Sequence, residues 1–304
     1  MSRILITGSH GLVGTAMKSL LTNAGHNVRS LDLRAPQGDG RGDVLDLRAV
    51  ETAATECDGI LHFAAVSRVI WGERDPAHCR ATNEGGTRNV LRAALASPRH
   101  PWIVFASSRE VYGEPDALPV REDAPLCPVN VYGETKIAGE RLLQEARGAG
   151  LATAIVRLSN VYGSVHDHAD RVVPAFAHRA LAGEPLRIDG ADHTFDFTHI
   201  DDTARGIAAV VDALQAGERR LPPIHFLTGT PTTLGELAAA AVDLAGSTSL
   251  LLHAPPRSYD VARFYGDPSR ARTILGWQPR VPLRDGLARL LAALRDTPSP
   301  EPHP

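Results

Sequence analysis

Arg3-Ile4-Leu5-Ile6-Thr7-Gly8-Ser9-His10-Gly11-Leu12-Val13-Gly14 is the stretch whose reading decides the fold. A short apolar run closed by glycine predicts a buried strand. A helical pattern follows to about Asn23 and stops at Gly25. Strand, glycine turn and helix, in that order, form the setting of a dinucleotide-binding loop. In such a loop Gly8 makes the tight turn, Gly11 lets backbone approach a pyrophosphate, and Gly14 lets the helix sit close on the sheet. The helix N-terminus contributes N–H groups and the positive end of its dipole. A glycine-rich turn with no ligand is the competing reading.

Downstream, a second strand over 27–31 ends at Asp32. An acid about twenty residues past the glycines is placed to bond the adenosine ribose 2′-hydroxyl. It also repels a 2′-phosphate, so NAD is expected over NADP, with Arg34 arguing the other way. Further strands are expected at 42–45, 59–63, 102–106 and 152–158, with a helix at about 83–96 and another introduced by Pro125 and Pro128. This alternation predicts an α/β fold with a doubly wound parallel sheet, a Rossmann fold. Ala64 and Ala65 suit backbone passing close to a cofactor, and His62 reads as a structural histidine.

After Leu158 the pattern loosens. Residues 159–163 read as a loop and His166-Asp167-His168 as a solvated loop segment with no third metal ligand in register. Helices are expected at 172–182, 200–214, 233–245, 268–275 and 283–294, with strands near 186–188, 195–197 and 224–227. The expected organisation is a cofactor-binding domain over 1–164, also receiving about 198–229. Residues 165–197 and 230–295 would form a smaller C-terminal substrate lobe, and 296–304 a disordered, proline-rich tail.

Tyr132-Gly133-Glu134-Thr135-Lys136 carries the chemistry. Spacing of four puts the phenol and the ammonium on one helix face. A free phenol titrates near ~10. A neighbouring ammonium favours the phenolate, and the pair then suits removal of a proton from an alcohol. Lys18 and Lys136 are the only lysines among 32 basic residues. Arginine would serve a solvated face equally well, so a lysine here points to a site that needs a compact ammonium.

Bulk properties bound the rest. The 304 residues are 43% hydrophobic and 22% charged, with net charge −3, as in an ordinary globular protein. Slight acidity gives no footprint for nucleic acid. No apolar run is long enough for a bilayer and no signal peptide precedes the first strand, so a cytoplasmic location is expected. Three scattered cysteines, Cys57, Cys79 and Cys127, make neither a disulfide framework nor a metal knuckle.

Taken together, these residues resemble the extended short-chain dehydrogenase/reductase superfamily, in its NAD-dependent nucleotide-sugar epimerase/dehydratase branch, over nearly the whole chain. Residues 7–14 match T-G-x-x-G-x-x-G; Asp43-Val44 matches the pair flanking adenine; 62–65 resembles H-x-A-A; and Asn83-Glu84-Gly85-Gly86-Thr87 resembles N-x-x-G-T. Ser108 precedes Tyr112 by four, like the catalytic hydroxyl of S/T-x-x-V-Y-G. Residues 157–163 resemble R-x-x-N-V-Y-G, Arg257 with Asp260 and Tyr265-Gly266-Asp267 resembles R-P-G-D…Y-A-D, and 276–279 match G-W-x-P.

The resemblance implies catalytic roles for Ser108, Tyr132 and Lys136. It implies cofactor contacts from Gly8, His10, Gly11, Leu12, Val13, Asp32 and Arg34, from Asp43, Val44, Phe63, Ala64, Ala65 and Asn83, and from Tyr132 and Lys136. Substrate contacts fall to Ser108, Arg109, Asn160, Val173 and Arg257. Relatives commonly dimerise through the helices that lie here at about 83–96 and 131–147, so a homodimer is implied.

There are two departures from the pattern. Phe195 stands where the family carries an arginine before Asp-Phe, so a diphosphate contact is missing or is supplied by Arg171 or Arg187. Arg109-Glu110 stands where sugar 4,6-dehydratases carry Asp-Glu. Arginine cannot give up a proton at neutral pH, which leaves Glu110 as either a C5 base or a structural carboxylate. The expected activity is C4 epimerisation of a nucleotide-sugar. The alternatives are a dehydratase or decarboxylase using Glu110, an NAD(P)-dependent oxidoreductase on a non-nucleotide alcohol, and a cofactor-sensing protein on an inactive fold.

Overall fold

Apolar side chains alternate across β1 (Arg3–Thr7): Ile4 and Ile6 enter one buried cluster and Leu5 another. A strand covered on both faces requires this. The computed structural model describes residues 1–256 and 261–296. After β1 come α1 (Leu12–Asn23), β2 (Asn27–Leu31), α2 (Leu47–Ala54), β3 (Gly59–His62), α3 (Val69–Arg74) and α4 (Pro76–Arg80). A π-helical turn, Ala81–Gly85, leads into α5 (Gly86–Ala96), so the helix expected from Asn83 begins as a wider turn. Then follow β4 (Trp102–Ser108), α6 (Val131–Gly148), β5 (Thr153–Leu158), β6 (Asn160–Tyr162), α7 (Val172–Ala182), β7 (Leu186–Asp189), β8 (Thr194–Phe195) and β9 (Phe197–His199). The chain closes with α8 (Ile200–Gln215), β10 (Ile224–Phe226), β11 (Thr232–Thr233), α9 (Leu234–Ala245), β12 (Leu251–Ala254), α10 (Ser269–Leu275) and α11 (Leu283–Asp296).

Six parallel strands form the central sheet in the order β10-β5-β4-β3-β1-β2. Strand order reverses at β1, and the crevice beyond the carboxyl ends there is where open α/β sheets hold ligands. One face packs Ile4, Ile6, Leu61, Val104 and Val156 against residues of α1 and α8. The other packs Leu5, Ile60, Ile103 and Ile155 against residues of α2, α5 and α6. A separate apolar cluster joins α7, α9, α11 and β7 through Val173, Phe176, Ile188, Leu237, Leu287 and Leu290.

Three expected pieces came out differently. The stretch 42–45 is not a strand. Asp43 accepts the Leu45 N–H at 2.9 Å, and Asn89 Nδ2 donates to the Val44 and Leu45 carbonyls at 3.0 Å each, so side chains satisfy this backbone. The stretch 152–158 is therefore the fifth strand of the sheet. Within the segment read as a loop over 159–163, Asn160–Tyr162 pairs in parallel with β9. The strand expected over 195–197 is split at Asp196. β8 pairs with β11, β9 pairs with β6, and the buried Asp196 carboxylate accepts the N–H groups of Thr228 and Gly229 at 2.8 and 2.7 Å. Of the expected tail over 296–304, Asp296 ends α11 and 297–304 lie outside the described residues.

A buried network ties α6 to the sheet. Arg157 on β5 donates to both oxygens of Glu140 on α6, Nε to Oε1 at 2.8 Å and Nη2 to Oε2 at 2.6 Å. Ser107 on β4 donates to the same carboxylate at 2.5 Å. Arg157 also reaches the Tyr112 hydroxyl at 2.6 Å and the Glu122 carbonyl at 2.8 Å. Removing one member of a buried ion pair strands the other. Glu140→Ala is therefore expected to cost about 3–5 kcal/mol, measured by urea unfolding. A loss below about 1 kcal/mol, the scale of an exposed pair, would show that this network does not hold α6 on the sheet.

Candidate active site

At the β1–α1 turn, Gly8 has φ +71°, and a Cβ there would meet Ala64 N at 2.6 Å. A Cβ on Gly14 would meet Gly8 O at 2.0 Å. Only glycine lets this turn fold under α1 and against the backbone after β3. Asp32 is held in place by the N–H groups of His10 and Arg34 at 2.9 and 2.8 Å. Arg34 lies alongside, its Nη2 donating to the His10 carbonyl at 2.9 Å.

Across the crevice, β4 ends at Ser108, and a 3-10 turn over Arg109–Tyr112 carries Arg109 and Glu110. The Ser108 hydroxyl accepts the Glu110 N–H at 3.2 Å. Asn130 begins α6: its side chain accepts the Gly133 N–H at 2.8 Å and donates to Glu110 Oε2 at 2.8 Å. The other Glu110 oxygen lies 2.8 Å from Arg109 Nη2. One turn into α6, Tyr132 and Lys136 share a face, with the ammonium 5.5 Å from the Tyr132 ring centroid and 4.9 Å from that of Phe105.

These parts line one cavity of about 680 Å³, a size suited to a cofactor with part of a substrate. Gly8, Gly11, Leu12, Val13, Asp32 and Arg34 lie along it, as do Asp43, Val44, Phe63, Ala64 and Ala65. Ser108, Arg109, Glu110, Tyr132, Lys136, Asn160 and Val173 complete the predicted set on its wall. His10 and Asn83 are not on that wall. The Asn83 amide instead holds Val66 and the Thr135 hydroxyl, supporting the cavity from behind. Arg257 and Asp260 lie outside the described residues.

Burial raises the Tyr132 phenol to about 12, with Arg171 and the Ser108 hydroxyl pulling it down. Burial lowers Lys136 to about 8, with Cys79 and Glu140 opposing. His62 is structural: it bridges the Thr7 and Thr87 hydroxyls at 2.7 and 3.0 Å, and burial holds it near 3.

Sequence reading missed the strap over the cavity. Residues 67–71 meet 166–171 from the far side: Arg68 pairs with Asp170, Arg171 Nη2 reaches the Ser67 hydroxyl at 3.3 Å, and His168 stands edge-on to Trp71 at 5.0 Å. His168 is thus packed rather than solvated. These contacts join residues about a hundred positions apart, and their one local signal is the Asp167–Arg171 pair at i,i+4.

The sequence profile of the NAD dependent epimerase/dehydratase family matches residues 4–222. The chain belongs to this family. It is 30% identical to a UDP-glucose 4-epimerase of Mycolicibacterium smegmatis, over 97% of this chain and 99% of the relative. It is also 30% identical to a dTDP-glucose 4,6-dehydratase of Streptomyces niveus, over 97% and 93%. The crystal structure of a UDP-glucose 4-epimerase from Thermotoga maritima with UDP-glucose superposes with a TM-score of 0.88 at 26% identity, covering 97% of this chain and 99% of that one. Among the described residues no helix is long and apolar enough to cross a membrane.

Burying Lys136 has a sign that can be checked. Its folded value, about 8, lies below the unfolded value of about 10.4. Between these values the unfolded chain binds the extra proton, so the group destabilises the fold below about pH 8 and less as pH rises through that window. Lys136→Met is expected to stabilise the cofactor-free protein by about 1–3 kcal/mol at pH 7 and by less at pH 10, read from urea unfolding. Equal or lower stability at pH 7 would mean that this ammonium is well solvated.

Proposed function

We propose that the chain is an NAD-dependent epimerase acting at C4 of a nucleotide-sugar. The observation that carries this reading is the state of Glu110. Its two oxygens are taken up by Arg109 and Asn130, while Ser108 and Tyr132 stand on the cavity wall. The groups for moving a hydroxyl proton face the cavity, and the carboxylate that would remove a carbon-bound proton is engaged elsewhere.

The residues fit the cofactor. The glycine turn and the start of α1 would hold the pyrophosphate, Asp32 the adenosine ribose, and Lys136 the nicotinamide ribose. Bound NAD would supply the oxidising and reducing equivalent at the sugar carbon. Ser108 would hydrogen-bond the C4 hydroxyl, and Tyr132 would accept its proton and later return it. Arg171, at the start of α7 and the largest influence lowering Tyr132, would favour the phenolate and stand near the diphosphate in place of the arginine missing at Phe195. The sugar would turn over as a 4-keto species, C4 would take back its hydrogen as hydride on the other face, and Tyr132 would return the proton to the C4 oxygen. In keeping with the resemblance, the assembly would be a homodimer.

Glu110 does line the cavity, which is the observation favouring a dehydratase or decarboxylase. The two chemistries part at C5. Epimerisation at C4 moves only a hydroxyl proton through Tyr132, whereas elimination or decarboxylation brings a solvent proton to carbon. Turnover of UDP- and dTDP-sugars in heavy water is expected to give an epimer with no carbon-bound deuterium by mass. Deuterium at C5 would overturn the epimerase reading and make Glu110 the central base.

A further inference from the structure

Arg109 occupies an unusual position for a cation. It follows Ser108 directly, and its side chain is only 11% exposed, on the cavity wall. Its guanidinium lies 4.6 Å from the Phe195 ring centroid and 5.7 Å from that of Phe264. Aromatic faces hold a guanidinium in place but accept none of its hydrogen bonds in the plane. Among the described residues its ionic partner is Glu110, reached through Nη2 at 2.8 Å. Nη1 is buried and has no acceptor among the described residues.

Guanidinium presents five N–H donors in a rigid fork that matches the geometry of a carboxylate. A buried donor left unpaired is costly and calls for an explanation, an incoming acceptor among them. Among the other arginines on this wall, Arg34, Arg68 and Arg187 each lie near an acid of their own: Asp32 at 3.8 Å, Asp170, and Asp189 at 2.8 Å. Arg171 Nε also makes no hydrogen bond among the described residues, but it lies 3.4 Å from Asp167 Oδ1, and Nη2 reaches Ser67. Arg109 is the cation next to the hydroxyl that would touch the reacting carbon.

We infer that Arg109 recognises a carboxylate on the sugar ring itself, so that the preferred substrate is a nucleoside-diphosphate hexuronate rather than a neutral hexose. This deepens the reading above and rests on the cavity's taking a nucleotide-sugar. Ser108 and Arg109 line the same cavity, and we take the anion met by Arg109, while Ser108 holds the C4 hydroxyl, to be the C6 carboxylate of a hexuronate beside that carbon rather than the diphosphate. Glu110 lies close by, but its charge is already shared between Arg109 and Asn130. Phe195 has a matching role: it leaves Nη1 without an acceptor where an acid in its place would supply one.

Equilibrium binding to the NAD-loaded protein tests this without depending on which reaction follows. The probes are UDP-glucose and UDP-glucuronate with their thymidine counterparts. The hexuronate is expected to bind roughly tenfold to a hundredfold more tightly, the range of a charge-assisted hydrogen bond. In Arg109→Gln that ratio should collapse to within about threefold, and Arg109→Lys, which keeps the charge but not the fork, should fall between. Retained circular dichroism in the two variants confirms folding, and the parent's preference stands as a test even if either variant fails to fold. Equal or tighter hexose binding by the parent, or a preference that survives in Arg109→Gln, overturns the inference and leaves the nucleotide-sugar reading intact. No binding of any of the four overturns both.

Discussion

A lysine ammonium left in a nearly dry place is the constraint on which this site depends. Lys136 is 4% exposed, packed over Phe105 and Tyr132, and makes no ion pair among the described residues. The nearby carboxylate, Glu140, is already claimed by Arg157 and Ser107. A buried, unpaired ammonium opposes folding, so the surrounding structure must hold it in position. What it gains is a strong point charge in a low-dielectric cleft, where diol oxygens of a bound ribose would find little competition from water. The same burial raises Tyr132, so the phenol needs help to ionise, and Arg171 and the Ser108 hydroxyl favour the ionised form.

The rest of the domain can be understood as support for that position. The Glu140–Arg157 pair fixes α6 against β4 and β5, and Ser107, the residue before Ser108, is bound into the same carboxylate. Asn130 caps α6 and holds Glu110 with the other end of its amide. The helix that carries Tyr132 and the turn that carries Glu110 therefore cannot move independently. Asp196 performs a similar service between β8 and β9, where its carboxylate gathers the Thr228 and Gly229 backbone.

Much of this was legible in the sequence because it is local. The apolar runs of β1, β3, β4 and β5 and the glycine turn determine their own structure, and α7 appears at 172–182 as expected. The Tyr132–Lys136 spacing is a property of any helix, so it too could be read directly. What the pattern concealed was non-local or depended on side chains standing in for backbone. The stretch 42–45 looks like a strand, but Asp43 and Asn89 satisfy it without a ladder. β6 and β9 are three residues each and exist only as a pair. The two departures, Arg109 and Phe195, looked separate in sequence at 86 positions apart and proved to be stacked on each other. The strap between 67–71 and 166–171 rests on contacts that no window of the chain contains.

The central claim is that Tyr132 is the proton acceptor of an alcohol-oxidising site rather than a buried structural tyrosine. Tyr132→Phe keeps the ring, its packing and the Lys136 contact while deleting the hydroxyl alone. Turnover and NAD binding measured together on this variant test the claim most directly. The account predicts a fall in kcat of at least about a hundredfold, the scale of one acid–base group, with NAD affinity nearly unchanged. Turnover within about threefold of the parent, far short of that scale, would contradict it.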